Sequence, residues 1–193
     1  MGRCILVRHG ESEANGARVF TPHPEVGLTE RGRAQAAAAA GVIAARFAAR
    51  RVVASPLRRA RQTAEAIAVA LGLEVDVEPE LRERGYGDFA GQPYAAPRPG
   101  WDPEAWWAWR PPGGETLVEV AARAGAVVDR IAAAAPDDDV VVVSHGGVML
   151  ALERHVTGAW GVGRVARNAG IAVATHRDGR WTGLEVLATA AAA

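Results

Sequence analysis

Two histidines stand at the ends of β-branched runs, each followed by glycine: Arg8-His9-Gly10 closes one run, and Ser144-His145-Gly146-Gly147 closes another. A third run leads through Ser55-Pro56-Leu57 to Arg58-Arg59. In a parallel sheet the residues just past the strand ends converge on one edge, where ligands bind. Two histidines and at least two arginines therefore meet there. Arginine presents a planar fork that matches phosphate oxygens, and helix-start amides after Gly146 add anion donors. A neutral imidazole can do what arginine cannot, which is attack phosphorus. Arg8 and Arg59 disfavour protonation of a neighbouring imidazole and keep its lone pair available near neutral pH, and His9 is the better placed nucleophile. Phosphoryl transfer otherwise needs positioning and charge neutralisation, which the arginines and His145 supply without a metal. The leaving alkoxide still needs a proton. A carboxylic acid beside a phosphate dianion keeps one to give, and Glu83 lies where the chain leaves its third strand; its assignment as that acid rests on position alone.

The elements that must position these residues alternate short β-branched runs with longer Ala-rich stretches, the pattern of an α/β fold. Strands are expected at Cys4 to Arg8, Val52 to Ser55, Glu74 to Val77, Val140 to Ser144, Gly170 to Thr175 and, more weakly, Trp181 to Leu187. The unbroken valines from Val140 to Val143 suit a central strand covered on both faces. Helices are expected from Leu28 to Phe47 with Thr29 as cap, from Arg58 to Leu71 after the cap-and-proline pair Ser55-Pro56, from the capping box Thr116 to Glu119 onward to about Ala135, and from Gly147 to Val156. The fold class is thus a three-layer α/β sandwich with a mostly parallel central sheet and helices on both faces. A small cap is inserted between Gly85 and Gly114, where Gly and Pro are frequent and Trp101, Trp106, Trp107 and Trp109 crowd together. The spacing of Trp101, Trp106 and Trp109 is partly helical and reads as a satellite core; a long insertion in a compact domain also reads as a lid over the site. Asp137-Asp138-Asp139, after Pro136, reads as a solvated turn, and Ala188 to Ala193 as a frayed end.

A chain of 193 residues suits one domain, 1–193. Lys plus Arg and Asp plus Glu number 22 each, so no overall field draws nucleic acid or an acidic membrane, and no apolar run approaches membrane-spanning length. One cysteine, Cys4, permits no intramolecular disulfide, and with no signal-peptide pattern at the N-terminus the expected compartment is a reducing cytoplasm. The ligand spacing H-E-x-x-H is absent, and His23, His155 and His176 have no motif around them, so no metal site is expected. Ser12 and Ser144 sit in no G-x-S-x-G elbow, which makes a serine hydrolase a poor fit.

Five motifs in one order carry a resemblance. Arg8-His9-Gly10-Glu11-Ser12 with Asn15, Leu57-Arg58-Arg59-Ala60 with Gln62-Thr63, Glu83 before Tyr86-Gly87, Gly113-Gly114-Glu115-Thr116, and Ser144-His145-Gly146 resemble the histidine phosphatase superfamily, in its phosphoglycerate-mutase-like branch. The resemblance implies that His9 is the phosphorylated nucleophile, that Arg8, Arg59 and His145 bind the phosphoryl group, that Asn15 assists, and that Glu83 is the proton donor. It selects Arg59 over Arg58, because the family arginine directly precedes the alanine, and leaves Arg58 at the rim. Where the mutase branch usually has Thr-Gly or Gln-Gly, this chain has Thr21-Pro22, which puts Thr21 beside the non-phosphate part of the substrate. The chain looks closer to the small phosphatases than to the longer mutases. The implied function is a phosphomonoester hydrolase acting on a small organic phosphate, with water as acceptor and no cofactor. The other readings are a phosphoglycerate mutase, or a weakly active phosphate-binding regulatory protein, against which the two histidines and Glu83 argue. Oligomeric state is not legible, though a homodimer is common for such folds.

Overall fold

The four valines from Val140 to Val143 are fully buried because alternate side chains face opposite layers. Val140 and Val142 pack with Cys4 and Leu6 in one apolar cluster, and Val141 and Val143 pack with Ile5 and Val7 in the other. The structure is a computed structural model that describes residues 1–161 and 167–187, so the expectation for Ala188 to Ala193 lies outside the described residues. In chain order its elements are β1 (Gly2–Arg8), the short α1 (Glu13–Gly16), α2 (Glu30–Arg46), β2 (Ala49–Ala54), α3 (Arg58–Leu71), β3 (Val75–Val77), α4 (Leu117–Ala134), β4 (Asp139–Ser144), α5 (Gly146–Thr157), β5 (Ile171–Arg177) and β6 (Arg180–Leu187). Three single turns of 3-10 helix, at Pro79–Leu81, Gly87–Phe89 and Trp106–Ala108, interrupt the long connection between β3 and α4.

The strands form one sheet in the order β3-β2-β4-β1-β5-β6. β3, β2, β4 and β1 run parallel, whereas β5 and β6 pair antiparallel to their neighbours. The β5–β6 pairing has a local cause. Asp178 and Gly179 both adopt positive φ, 50° and 75°, the geometry of the tight turn that matches the twist of paired strands, and this turn folds β6 back on β5. One layer is α4 and α5, whose Val120, Val127, Met149 and Leu152 lie on the Val140 face. The other is α2 and α3, whose Ala40, Ile43, Ala64 and Ile67 lie on the Val141 face. Each Val, Ile, Leu or Met side chain so buried contributes about 1.5–3 kcal/mol relative to exposure.

The helix starts follow the capping chemistry at α1, α2 and α4, whereas α3 and α5 begin without a side-chain cap. The Thr29 hydroxyl accepts from the Gly32 amide, and Thr116 and Glu119 form the reciprocal capping box. Ser55, expected as part of a cap, is not one: the residue before α3 is Leu57, without a side-chain cap, and the Ser55 hydroxyl is turned to His145 instead. The aspartate run also departs from a solvated turn. Asp139 opens β4, is buried, and takes both Nε and Nη2 of Arg3, at 2.7 and 2.5 Å; a carboxylate removed from water requires such a partner. The tryptophan segment forms no helix beyond its one 3-10 turn. A satellite core is present, built from Phe20, Phe89 and Trp109 with Tyr86 and Tyr94 packed against them, but of the three tryptophans expected in it only Trp109 takes part, and Trp101 is exposed.

Candidate active site

The parallel strands end level with one another. Arg8 is opposite Ser144 and Ala54 opposite Val143, so the segments beginning His9, Ser55 and His145 leave the sheet side by side. His9 is held from three directions. Its backbone amide donates to the Ser144 carbonyl at 2.9 Å, its Nδ1 lies 2.6 Å from the Gly10 carbonyl, and Arg59 Nε lies 3.2 Å from its Nε2. A carbonyl only accepts, so Nδ1 carries the ring proton and Nε2 keeps the lone pair toward Arg59. Burial first, then the Arg59 and Arg8 guanidinium groups, push the His9 pKa well below the ordinary histidine value, with the Gly10 carbonyl opposing. The imidazole is therefore neutral at neutral pH.

Two glycines let the loop after His9 sit where it does. A Cβ on Gly10 would come within 2.2 Å of the Gly32 carbonyl oxygen, and one on Gly32 within 1.9 Å of the Glu11 carbonyl oxygen, so the loop lies directly on the first turn of α2. The Gly10 amide also donates to Thr63 Oγ1 of α3, whose hydroxyl donates to the Arg59 carbonyl. The same turn of helix thus fixes both the loop after His9 and the arginine facing it. Arg59 is 1% exposed, and its Nη1 is buried with no hydrogen-bond partner among the described residues. Burial lowers the pKa of Arg8 and Arg59, and the negative charge of Glu83 opposes it. Arg58 points away, exposed, to the Glu25 carbonyl.

His145 caps α5 and is wholly buried, its ring centroid 5.1 Å from that of His9. Its Nε2 lies 2.6 Å from Ser55 Oγ, and its Nδ1 is buried without a partner among the described residues. Burial, then Arg59, the His9 ring and Arg8, push its pKa well below the ordinary value, so it too is neutral. Ser55 Oγ also accepts from the Leu57 amide, so one hydroxyl joins the His145 ring to the start of α3. His145 and Ser55 lie beneath the cavity, however, and only Gly146 and Gly147 of this segment reach its wall.

Glu83 is positioned by its neighbours' backbone. Its Oε1 accepts from the Arg84 amide at 2.8 Å and from the Gly147 amide, in the first turn of α5, at 3.2 Å. A Cβ on Gly147 would lie 2.6 Å from that oxygen, so the approach requires glycine. Arg123 of α4 fastens the whole turn from below, donating to the carbonyls of Glu80, Arg82 and Glu83 and to both oxygens of Glu115. Glu115 in turn accepts from the Gly85 amide; although burial works against it, the Arg123 and Gly85 hydrogen bonds hold its carboxyl below the usual range.

These residues surround a cavity of about 340 Å³ whose wall includes Arg8, His9, Asn15, Thr21, Arg59 and Glu83. Asn15 reaches it with its amide largely engaged: Oδ1 accepts from the Ser12 amide and from Asn168, and Nδ2 donates to the Tyr94 hydroxyl. The outer wall is aromatic, from Phe20, Tyr86, Tyr94, Trp101, Trp106 and Trp109, with Arg84 and Arg98 among them. Every residue expected at the site is thus brought together, His145 behind the wall. Ser55, Tyr94, Arg98 and Arg123 are added by the structure; of these only Ser55 carried a sequence signal, its place at a strand end. Among the described residues no group of three or more His, Cys, Asp or Glu is arranged to hold a metal ion, and no helix is long and apolar enough to cross a membrane.

Residues 4–188 match the family model of the histidine phosphatase superfamily, branch 1. A bifunctional protein of Mycobacterium tuberculosis is 38% identical over 179 residues, 89% of this chain but only 46% of that protein, so the chain spans about half the length of this relative. The glucosyl-3-phosphoglycerate phosphatase of the same organism is 38% identical over 166 residues, covering 78% of this chain and 73% of that enzyme. The solved structure of a mycobacterial glucosyl-3-phosphoglycerate phosphatase with VO3 superposes with a TM-score of 0.84 at 32% identity, covering 97% of this chain and 99% of the other.

Proposed function

The chain belongs to the histidine phosphatase superfamily, branch 1, and from that premise we propose that it is a phosphomonoester hydrolase that passes the phosphoryl group through Nε2 of His9 to water. The observation that carries this reading is the pairing of His9 Nδ1 with the Gly10 carbonyl, which leaves Nε2 as a lone pair beside Arg59. In the first step that lone pair attacks phosphorus and the ester P–O bond breaks. The departing alkoxide takes the proton of the Glu83 carboxyl. In the second step the Glu83 carboxylate takes a proton from water, the oxygen attacks phosphorus, and the P–N bond breaks. Inorganic phosphate leaves, and His9 and Glu83 return to their starting states.

Arg8 and Arg59 hold the equatorial oxygens through both steps, and His145 supports them from below, joined by the Gly146 segment. Asn15 and Thr21 flank the ester side. The aromatic outer wall supports a small organic phosphate as substrate, since such pockets bind ligands through apolar faces with few polar anchors. Glucosyl-3-phosphoglycerate, after which two relatives are named, is the first ester to try. The test is release of inorganic phosphate from a panel of phosphate monoesters, with and without EDTA. Turnover of a small organic ester that survives the chelator is expected; hydrolysis that depends strictly on an added divalent ion would refute the metal-free mechanism.

A further inference from the structure

The cavity above His9 has a neighbour. A second cleft of about 240 Å³ lies between the turn at 21–24 and the segment 82–90, and it shares Thr21, Arg59, Glu83, Arg84 and Tyr86 with the first. The side chains of these residues are the partition between the two spaces, so the Glu83 carboxyl is reached from both. His23, Pro24 and Ala90, which line only the second cleft, are exposed, and its wall holds none of Trp101, Trp106 and Trp109. It therefore opens to solvent at a different place from the aromatic rim. Its walls are fixed. The Phe20 amide donates to the Gln92 carbonyl at 2.9 Å and the Gly91 amide to the Phe20 carbonyl at 2.8 Å, which joins the two segments at one end, and the Pro24 carbonyl accepts from the Arg58 amide at the start of α3. Tyr86, in the partition, packs on the Phe20 ring with centres 4.5 Å apart. At about 30 Å³ per water the cleft has room for roughly eight waters, and Thr21, Arg59 and Glu83 supply the polar partners that keep such a space wet.

The two half-reactions give a second mouth a use. Water attacking the phosphorylated histidine must take the position on phosphorus opposite Nε2, which the alcohol has just left. Water that comes by the alcohol's own mouth waits for the alcohol to go. Until then the alcohol can take the phosphoryl group back: its oxygen attacks phosphorus, the P–N bond breaks, and its proton passes to the Glu83 carboxylate. Glu83 Oε1 is occupied by the Arg84 and Gly147 amides, whereas Oε2 has only a contact of 3.5 Å with the Gly147 amide, so Oε2 is the oxygen open to proton exchange. We infer that the cleft beside Glu83 is a separate water entrance to the phosphorylated site, which feeds the second half-reaction and favours hydrolysis over return of the phosphoryl group to an alcohol. This rests on the phosphohistidine reading of His9.

The test closes the mouth from its exposed side with Ala90→Trp, with Ala90→Ser as the control of parent size. The probe is p-nitrophenyl phosphate, whose nitrophenolate burst reports the first half-reaction while quenched samples report decay of the phosphohistidine. Glycerol is added as a competing acceptor, and glycerol phosphate and inorganic phosphate are both measured. Ala90→Trp should keep the burst rate within about twofold, slow the decay by at least about fivefold, and raise the ratio of glycerol phosphate to inorganic phosphate by at least about threefold. Ala90→Ser should match the parent. If Ala90→Trp fails to fold, His23→Trp, also at an exposed position of the mouth, is expected to give the same pattern. Decay and product ratio unchanged in a folded tryptophan variant overturn the water entrance and leave the phosphatase reading standing. Equal slowing of burst and decay also overturns it, since the cleft would then shape the cavity rather than admit water. A parent that forms no phosphohistidine overturns both.

Discussion

His9 and Trp101 line the same cavity and are held by different kinds of structure. His9 is fixed by hydrogen bonds from β4, from its own loop and from α3, and is 2% exposed. Trp101 sits in a connection without regular structure, and is 43% exposed. The floor of the site is assembled from strand ends and first turns of helices, whose backbone geometry leaves few alternatives. The rim is assembled from turns and ring contacts, such as Phe20 on Tyr94 and Phe89 on Trp109 at 5.1 and 5.3 Å. The contrast assigns chemistry to the floor and choice of substrate to the rim, in keeping with the general use of loops on a rigid scaffold.

The largest expected effect breaks the floor. His9→Ala removes the proposed nucleophile and should lower phosphate release by at least about 10⁴-fold, the scale seen when a covalent catalyst is lost. Glu83→Gln should lower turnover by roughly 10²- to 10⁴-fold for esters with poor leaving groups and less for good ones, because only poor leaving groups need the proton. Arg123→Ala touches no reacting atom but frees the turn that carries Glu83, so it should show the same leaving-group dependence at a smaller scale, about 10- to 100-fold. A loss equal for all leaving groups would make Arg123 structural only.

The floor also has a stability signature. His9 and His145 stay neutral when folded well below the pH at which a free histidine charges. Above the unfolded value, near 6.5, both states are neutral and no penalty exists. As pH falls below it the unfolded chain binds protons that the native site refuses, so stability is lost toward acid, by about 1.4 kcal/mol per pH unit for each histidine. Denaturant unfolding between pH 7 and 5 should show this slope, and His9→Ala should reduce it by about one proton's worth. At the rim the effects are smallest. Trp101→Ala should raise KM for a bulky ester by about 2- to 10-fold, matching one aromatic contact of roughly 0.5–1.5 kcal/mol. A comparable fall in kcat for small esters would blur the division between rim and floor.

The floor was legible in the sequence for the same reason that it is rigid. Parallel strands bring their C-terminal ends to one edge, so Arg8-His9 and Ser144-His145 had to meet. The choice of Arg59 over Arg58 has a physical basis as well: Arg59, Thr63 and Ile67 are buried at helical spacing along α3, and Arg58 falls off that stripe. The hydrogen bond between Ser55 and His145 was not legible, because it depends on β2 and β4 being neighbours, which only the strand order reveals. Nor was Arg98, since the cap has no period from which a facing side can be read. The β5–β6 hairpin did have its signal in Asp178-Gly179, a turn dipeptide.

The central claim is that the phosphoryl group rests on His9 between two half-reactions. Its most direct measurement is rapid mixing with a phosphate ester, an alkaline quench that preserves phosphohistidine, and mass spectrometry of the peptide containing His9. The expected result is a phosphorylated His9 that forms and decays at rates consistent with turnover and is absent in His9→Ala. Steady hydrolysis with no phosphoryl group ever on His9, or undiminished hydrolysis by His9→Ala, would contradict it.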